Sequence, residues 1–326
     1  MSTATVDRVL HGRSGVKART RSRVLGAAER LGYVDPGLPA VPVAARLALD
    51  VILPGGTNTF MNILADRVVE MGTLRAAEAE VRVHRIEGFV PEVLAQALLA
   101  MRGASDGVAI IALDHPLVRE AIRDLAAHDV PVLTLVSDIS NVPRSAYVGI
   151  DNRAAGRLAG HLLGRFIGPS GGKVALFAGS LSYRGHEERE MGFRHMLAED
   201  FSALSIVQTI EVRDDSERSY GEATALLARV PDLAGIYNIG AGNRGIARAL
   251  QETGQARRIV FIGHELTPHT RQFLLSGTMD AVIDQNPRVE ARELIDRLLR
   301  AARGESNPRG PALRVQAIFR ENIPEV

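Results

Sequence analysis

The chain has 326 residues, 39 Lys and Arg against 38 Asp and Glu, 46% hydrophobic residues, 4% aromatics, and neither Cys nor Trp. That length predicts two compact domains with room for a small third module, and the composition excludes a disordered or fibrous chain. It also excludes a disulfide framework, a thiolate metal site and a cysteine nucleophile. No apolar run approaches the roughly 18 to 20 residues that a membrane helix needs.

The near-neutral charge hides an asymmetry. Residues 1–35 carry seven basic side chains (Arg8, Arg13, Lys17, Arg19, Arg21, Arg23, Arg30) and three acidic ones, a net +4, which leaves −3 on the remainder. A small basic head on a mildly acidic body is a nucleic-acid pattern; a solvated basic helix gives the same count. Only two of the 39 basic residues are lysine, so the arginine bias is a habit of the whole chain and not a phosphate signature. The N-terminus lacks the apolar stretch of a secretory signal, which predicts a cytoplasmic protein with no membrane partner.

In chain order, Thr3 to Leu10 forms a short helical candidate, followed by the turn-rich His11 to Gly15. Val24, Leu25, Ala28 and Leu31 then recur at helical spacing, with Gly32 as the expected C-cap. Three prolines between Pro36 and Pro42 disfavour both helix and strand, so the linker is placed at 36–45, between a head (1–35) and a body (46–326).

In the body, apolar strand candidates alternate with amphipathic helices. The strands are Leu47–Leu53, Val81–Ile86, Val108–Leu113, Val132–Val136, Tyr147–Ile150, Val174–Ala178, Ile206–Val212, Gly235–Ile239, Ile259–Ile262 and Ala281–Ile283. Most are separated by amphipathic stretches, such as Phe60–Ala79, Pro91–Met101, Leu117–His128, Asn152–Phe166, Arg184–Glu199 and Gly245–Gln251. This βαβ alternation predicts an α/β fold of doubly wound parallel sheets. Ten strands exceed one such sheet, so two lobes are expected: one of about 46–146 plus 285–312, the other of about 147–284 plus 313–326.

Ligands of such folds bind beyond the carboxyl ends of the strands. The residues found there are polar, with two aromatics among them: Asn58 and Phe60 after the first strand, then Asp114, Asp138, Tyr183 and Asn238. Amides and carboxylates pair with sugar hydroxyls, and an aromatic ring covers a sugar's apolar face. These residue types predict a monosaccharide, polyol or sugar acid, although strand-end polars also serve as ordinary caps.

Gly240-Ala241-Gly242-Asn243-Arg244-Gly245 is a literal G-x-G-x-x-G between strand and helix, with Glu265 where a ribose-binding acid would stand. A nicotinamide oxidoreductase is therefore an alternative, as is a plain solute-binding protein. The same glycines can serve a tight turn that presents amides, Asn243 among its residues, to the crevice. No hydride-transfer set, no zinc-type histidine pair and no Gly-x-Ser-x-Gly elbow accompanies them, so no enzyme, metal or cofactor is expected.

One family pattern runs through the whole chain. Ser2-Thr3-Ala4-Thr5-Val6-Asp7-Arg8-Val9-Leu10-His11-Gly12, then Thr20-Arg21-Ser22-Arg23-Val24 and Leu31-Gly32-Tyr33, resembles the headpiece of the lactose-repressor (LacI) family of transcription regulators. The body resembles that family's effector core, of the periplasmic-binding-protein type I fold. The resemblance implies a homodimeric, sugar-controlled repressor that reads a pseudo-palindromic operator. In its helix-turn-helix, Thr3, Ala4 and Arg8 would meet the major groove, with Thr5 and nearby residues, His11 among them, on phosphates. It further implies effector contacts from Arg189, in Arg189-Glu190-Met191-Gly192-Phe193, and from Glu265 and Gln285. The chain departs from the family in three places. It starts at the recognition helix, which predicts a headpiece one helix short; Lys17 replaces the usual serine cap; and the proline stretch replaces the hinge helix.

Overall fold

The computed structural model describes residues 2–11, 13, 16, 18–31, 46–305 and 312–325. The expected Lys17 and Gly32 caps and the proline-marked linker lie outside them. In the head, α1 (Thr3–Leu10) is capped by Ser2, whose side chain accepts the Thr5 N–H, and α2 (Ala18–Arg30) follows. Val9 of α1 and Val24 and Ala28 of α2 are its buried apolar residues.

The body is two parallel sheets, each sandwiched by helices. The first lobe runs β1 (Leu47–Pro54), α3 (Thr59–Leu74), β2 (Ala79–Ile86), α4 (Pro91–Ala100), β3 (Gly107–Ile110), α5 (Pro116–Ala127), β4 (Val132–Leu135) and β5 (Ala146–Val148). Its strand order is β2-β1-β3-β4-β5. The second lobe runs α6 (Asn152–Ile167), β6 (Gly172–Ala178), α7 (Arg184–Asp200), β7 (Leu204–Glu211), α8 (Ser216–Arg229), β8 (Leu233–Asn238), α9 (Asn243–Glu252), β9 (Val260–His264), α10 (Pro268–Ser276) and β10 (Ala281–Asp284). The chain then returns through α11 (Pro287–Ala302) to the first lobe's core and ends in β11 (Gln316–Ile318), antiparallel to β10. The order of this sheet is β11-β10-β9-β8-β6-β7. The inner strands of both sheets, such as β1, β3, β4 and β10, are buried on both faces, hence their continuous apolar runs in place of alternation. Among the described residues no helix is long and apolar enough to cross a membrane.

Several details differ from the sequence expectation: the helix expected over Phe60–Ala79 stops at Leu74 and Ala79 opens β2, the strand expected to Leu113 stops at Ile110, and α8, α10 and α11 add to the helices expected. The strand expected at Tyr147–Ile150 is Ala146–Val148 and pairs with β4, so the chain leaves the first lobe at residues 149–151, past Tyr147. The short β11 was not anticipated, because three residues are below the length at which a strand pattern registers.

Close packing of α6 on α7 fixes the floor of the second lobe. A Cβ on Gly156 would lie 1.9 Å from the Arg189 carbonyl oxygen, and one on Gly192 would lie 2.1 Å from that of Arg153. Neither backbone can yield without separating the helices. Gly156→Ala is therefore expected to cost about 3 kcal/mol, the upper range for overpacking, read from the midpoint of urea unfolding; an unchanged midpoint would contradict the packing argument.

Candidate functional site

The carboxyl ends of the strands of both lobes face a cavity of about 190 Å³. From the first lobe, the turn after β1 supplies Asn58, which caps α3 by accepting the Met61 N–H at 3.2 Å. Its Nδ2 donates across the cleft to Asp214 Oδ2 at 3.0 Å. Asp214 follows β7, and its other oxygen accepts the Ala241 N–H at 2.9 Å from the turn after β8. One carboxylate thus ties three strand-end loops, two of one lobe and one of the other.

Arg189, in the second turn of α7, is 3% exposed. Its Nε donates to Asn152 Oδ1 at 2.7 Å, Nη1 to the Ile239 carbonyl at 3.1 Å, and Nη2 stands 3.8 Å from Glu265 Oε1. Glu265 lies at the end of β9. Gln285 Nε2 donates to its Oε1 at 2.6 Å, while its buried Oε2 has no partner among the described residues. Burial outweighs the attraction of Arg189 and pushes the Glu265 carboxyl up to about 8, so it is mostly protonated at neutral pH. His186 is pulled the other way, down to about 4, again by burial, and is a neutral imidazole. A fixed cation, a neutral acid and a neutral imidazole are donors and acceptors suited to hydroxyls.

Aromatic walls complete the cavity. Phe60 is buried in it, and Phe89 meets Tyr183 edge-on with ring centroids 5.3 Å apart. Tyr183 precedes α7 in the second lobe yet belongs to the apolar core of the first. Backbone strain gathers here as well. Of the eight described non-glycine residues with positive φ, five line the cavity: Phe89, Val136, Arg213, Asp214 and Glu265. Such conformations persist where the surroundings over-determine them, and they cluster at functional sites.

The structure brings together Asn58, Phe60, Tyr183, Arg189 and Glu265 from the sequence candidates. The others fall elsewhere. Asp114 pairs with Arg119, and Asp138 with Arg144 and with the Thr134 hydroxyl at 2.6 Å, so both carboxylates are neutralised locally outside the cavity wall. Asn238 is fully buried and donates to the Gly240 carbonyl and to Asn243 Oδ1, and Gln285 stands behind Glu265. Asn243 lines a smaller adjoining compartment. Outside the candidate set, Asp214, His186, Ser137 and Phe89 also line the cavity. Asp214 had a signal: it stands two residues after Val212, where the rule of polar strand ends applies. In the head, Thr3, Ala4 and Arg8 are exposed on α1 and Thr5 is half-buried, while His11 Nδ1 lies 2.9 Å from the Asp7 carbonyl oxygen.

The glycine motif has a packing role. A Cβ on Gly245 would stand 2.1 Å from the Ser216 carbonyl oxygen and one on Gly240 would stand 2.5 Å from Asp214 Oδ1. The glycines let α9 lie against α8 and let Asp214 reach the Ala241 amide. Among the described residues no group of His, Asp and Glu could hold a metal ion.

Fold and cleft define a two-lobed binding protein of the periplasmic-binding type. Residues 49–306 match the periplasmic binding protein domain, and the chain belongs to that family. It is 27% identical over 143 residues to the D-allose-binding periplasmic protein of Escherichia coli, covering 44% of this chain and 46% of that one. It is 30% identical over 161 residues to the HTH-type transcriptional regulator MalR of Streptomyces coelicolor, covering 49% and 46%. The matches span about half the length of these curated relatives. A carbohydrate transporter solute-binding protein from Agrobacterium radiobacter, solved with D-arabinose, superposes with a TM-score of 0.79 at 18% identity, over 85% of this chain and 96% of that one. A periplasmic solute-binding protein from Actinobacillus succinogenes with bound D-allose gives 0.77 at 19% identity, over 85% and 98%. These relatives and neighbours are binding proteins or a regulator, not enzymes.

The raised Glu265 carboxyl has a consequence for stability. With its folded value near 8 and its ordinary value at 4.5, its contribution is fully present below pH 4.5 and lost as pH rises to about 8. Glu265→Gln, which mimics the neutral acid, is expected to gain melting temperature relative to wild type between pH 5 and pH 8.5. A constant difference across that range would show that the carboxyl is not held neutral.

Proposed function

We propose that the chain is a binding protein for a small sugar, held between its lobes. The observation that supports this most directly is the buried Arg189, whose fork is fixed by Asn152 and Ile239 and set against a protonated Glu265, in a cavity also lined by the Phe60, Phe89 and Tyr183 rings. A guanidinium held in this way can clamp adjacent hydroxyls, the neutral acid can donate a further hydrogen bond, and the rings cover the apolar face of a pyranose or furanose. Allose-, xylose- and arabinose-binding names among the relatives agree with this reading. Thermal-shift screening against pentoses, hexoses and polyols is expected to raise the melting temperature for one subset. Arg189→Ala should abolish that shift, and a variant that still responds would remove Arg189 from the site.

A second reading is supported by the head: Thr3, Ala4 and Arg8 stand exposed along α1, with α2 behind it, and one relative is a transcription regulator. In that reading the chain is a cytoplasmic homodimer, and sugar-driven closure of the lobes alters the affinity of two heads for an operator, a hinge-type population shift. Gel-shift titration on a genomic DNA library, with and without the sugar, tests it. Arg8→Ala should weaken binding by about tenfold, the worth of one lost charge-assisted contact; equal binding by wild type and variant would remove Arg8 from the interface.

A further inference from the structure

Beside the main cavity lies a second compartment of about 50 Å³, sharing Asn58, Asp214 and Glu265 with it. Its volume is room for on the order of four water molecules, enough for a substituent of four or five atoms but not for a second sugar ring. Four helices of nine or more residues begin at its wall: α3 with Thr59, α8 with Ser216, α9 with Asn243 and Arg244, and α10 with His269. Each N-terminus carries a partial positive charge and outward-facing N–H groups. Side chains cap α3, α8 and α10, while α9 begins at Gly242 with no side-chain cap.

Three side-chain observations point the same way. His264 is 1% exposed and lines the compartment; its Nε2 is satisfied by the Tyr237 hydroxyl at 2.7 Å, but its buried Nδ1 and, on the wall shared by both cavities, Glu265 Oε2 have no partner among the described residues. Arg244 stands exposed at the compartment and has no ion-pair partner among the described residues; burial, together with the charge of Arg244, holds His269 below its ordinary value. Asp214, the other carboxylate lining this space, is already engaged by Asn58 Nδ2 and the Ala241 N–H.

We infer that this compartment receives an anionic substituent, a phosphate or a carboxylate, carried by the sugar in the main cavity. The ligand class is then a phosphorylated or oxidised monosaccharide. The inference rests on the sugar-binding reading above and narrows it. An anion at four converging helix N-termini needs no counter-cation buried with it, and Arg244 supplies a charge-assisted contact at the open side.

Isothermal titration of the full chain tests this with three matched ligand sets: neutral monosaccharides, their phosphate monoesters, and the corresponding sugar acids. The expected result is that at least one phosphate ester or acid binds about tenfold or more tightly than its neutral parent. Arg244→Ala should weaken that anionic ligand by about tenfold and its parent by less than twofold, and higher ionic strength should narrow the gap between them. The relative affinity of ester and acid identifies which anion the compartment takes. Neutral sugars that bind as tightly as their anionic derivatives, or an Arg244→Ala variant that weakens both equally or neither, would overturn the inference and leave the sugar-binding reading intact. Failure of all three sets to bind would overturn both.

Discussion

A guanidinium taken out of water must be given partners or it will unfold what surrounds it. Arg189 is such a group, and meeting its demands organises the middle of the molecule. Its Nε requires Asn152 at the first turn of α6, its Nη1 requires the carbonyl that closes β8, and its remaining nitrogen faces the acid that closes β9. Asn152 in turn donates to the Val136 carbonyl and the Tyr147 hydroxyl of the first lobe, so a second-lobe cation is wired to the other lobe through one amide. Gly156 and Gly192 let α6 and α7 approach closely enough for these bonds to form.

Around this centre the two lobes meet through direct contacts of very different kinds. Asn58 and Asp214 make a polar clasp at the mouth of the cleft, and Tyr183 drives an aromatic ring from one lobe into the apolar core of the other. The Gly185 N–H donates to the Ser137 hydroxyl between them. A ligand that competes for Asn58 or Asp214 therefore acts on the same bonds that hold the lobes together. That is the physical basis on which occupancy of the cleft can be felt as a change in lobe geometry.

Much of the fold could be read in the sequence because buried parallel strands leave apolar runs, and the amphipathic stretches between them have helical length. The rule that ligands gather at strand ends pointed to Asn58, Phe60 and Tyr183, the family resemblance added Arg189 and Glu265, and all five line one cavity. The rule could not separate them from Asp114 and Asp138, since whether a strand-end carboxylate faces a ligand or an arginine depends on a side-chain direction that strand patterning does not encode. Arg119 and Arg144, five and six residues downstream, were the available warning. The Gly240 to Gly245 motif shows a different limit. Its spacing is the same whether the glycines admit a pyrophosphate or a neighbouring helix, and the partners that decide, Ser216 and Asp214, are 29 and 26 residues away. Asp214 itself stands at positive φ, a conformation that its residue type tolerates but does not announce.

The left-handed residues around the cleft carry an evolutionary implication. A valine with φ of 61° at position 136, and a glutamate at 71° at position 265, each hold on the order of 1–3 kcal/mol of conformational strain. Drift or engineering toward greater heat resistance would find its easiest gains by relaxing these positions, for instance with glycine at 136. Every such gain would soften the wall of the cavity between the lobes. Robustness and recognition are therefore opposed at identifiable residues, and a thermostabilised descendant should keep its fold while losing its discrimination among ligands first.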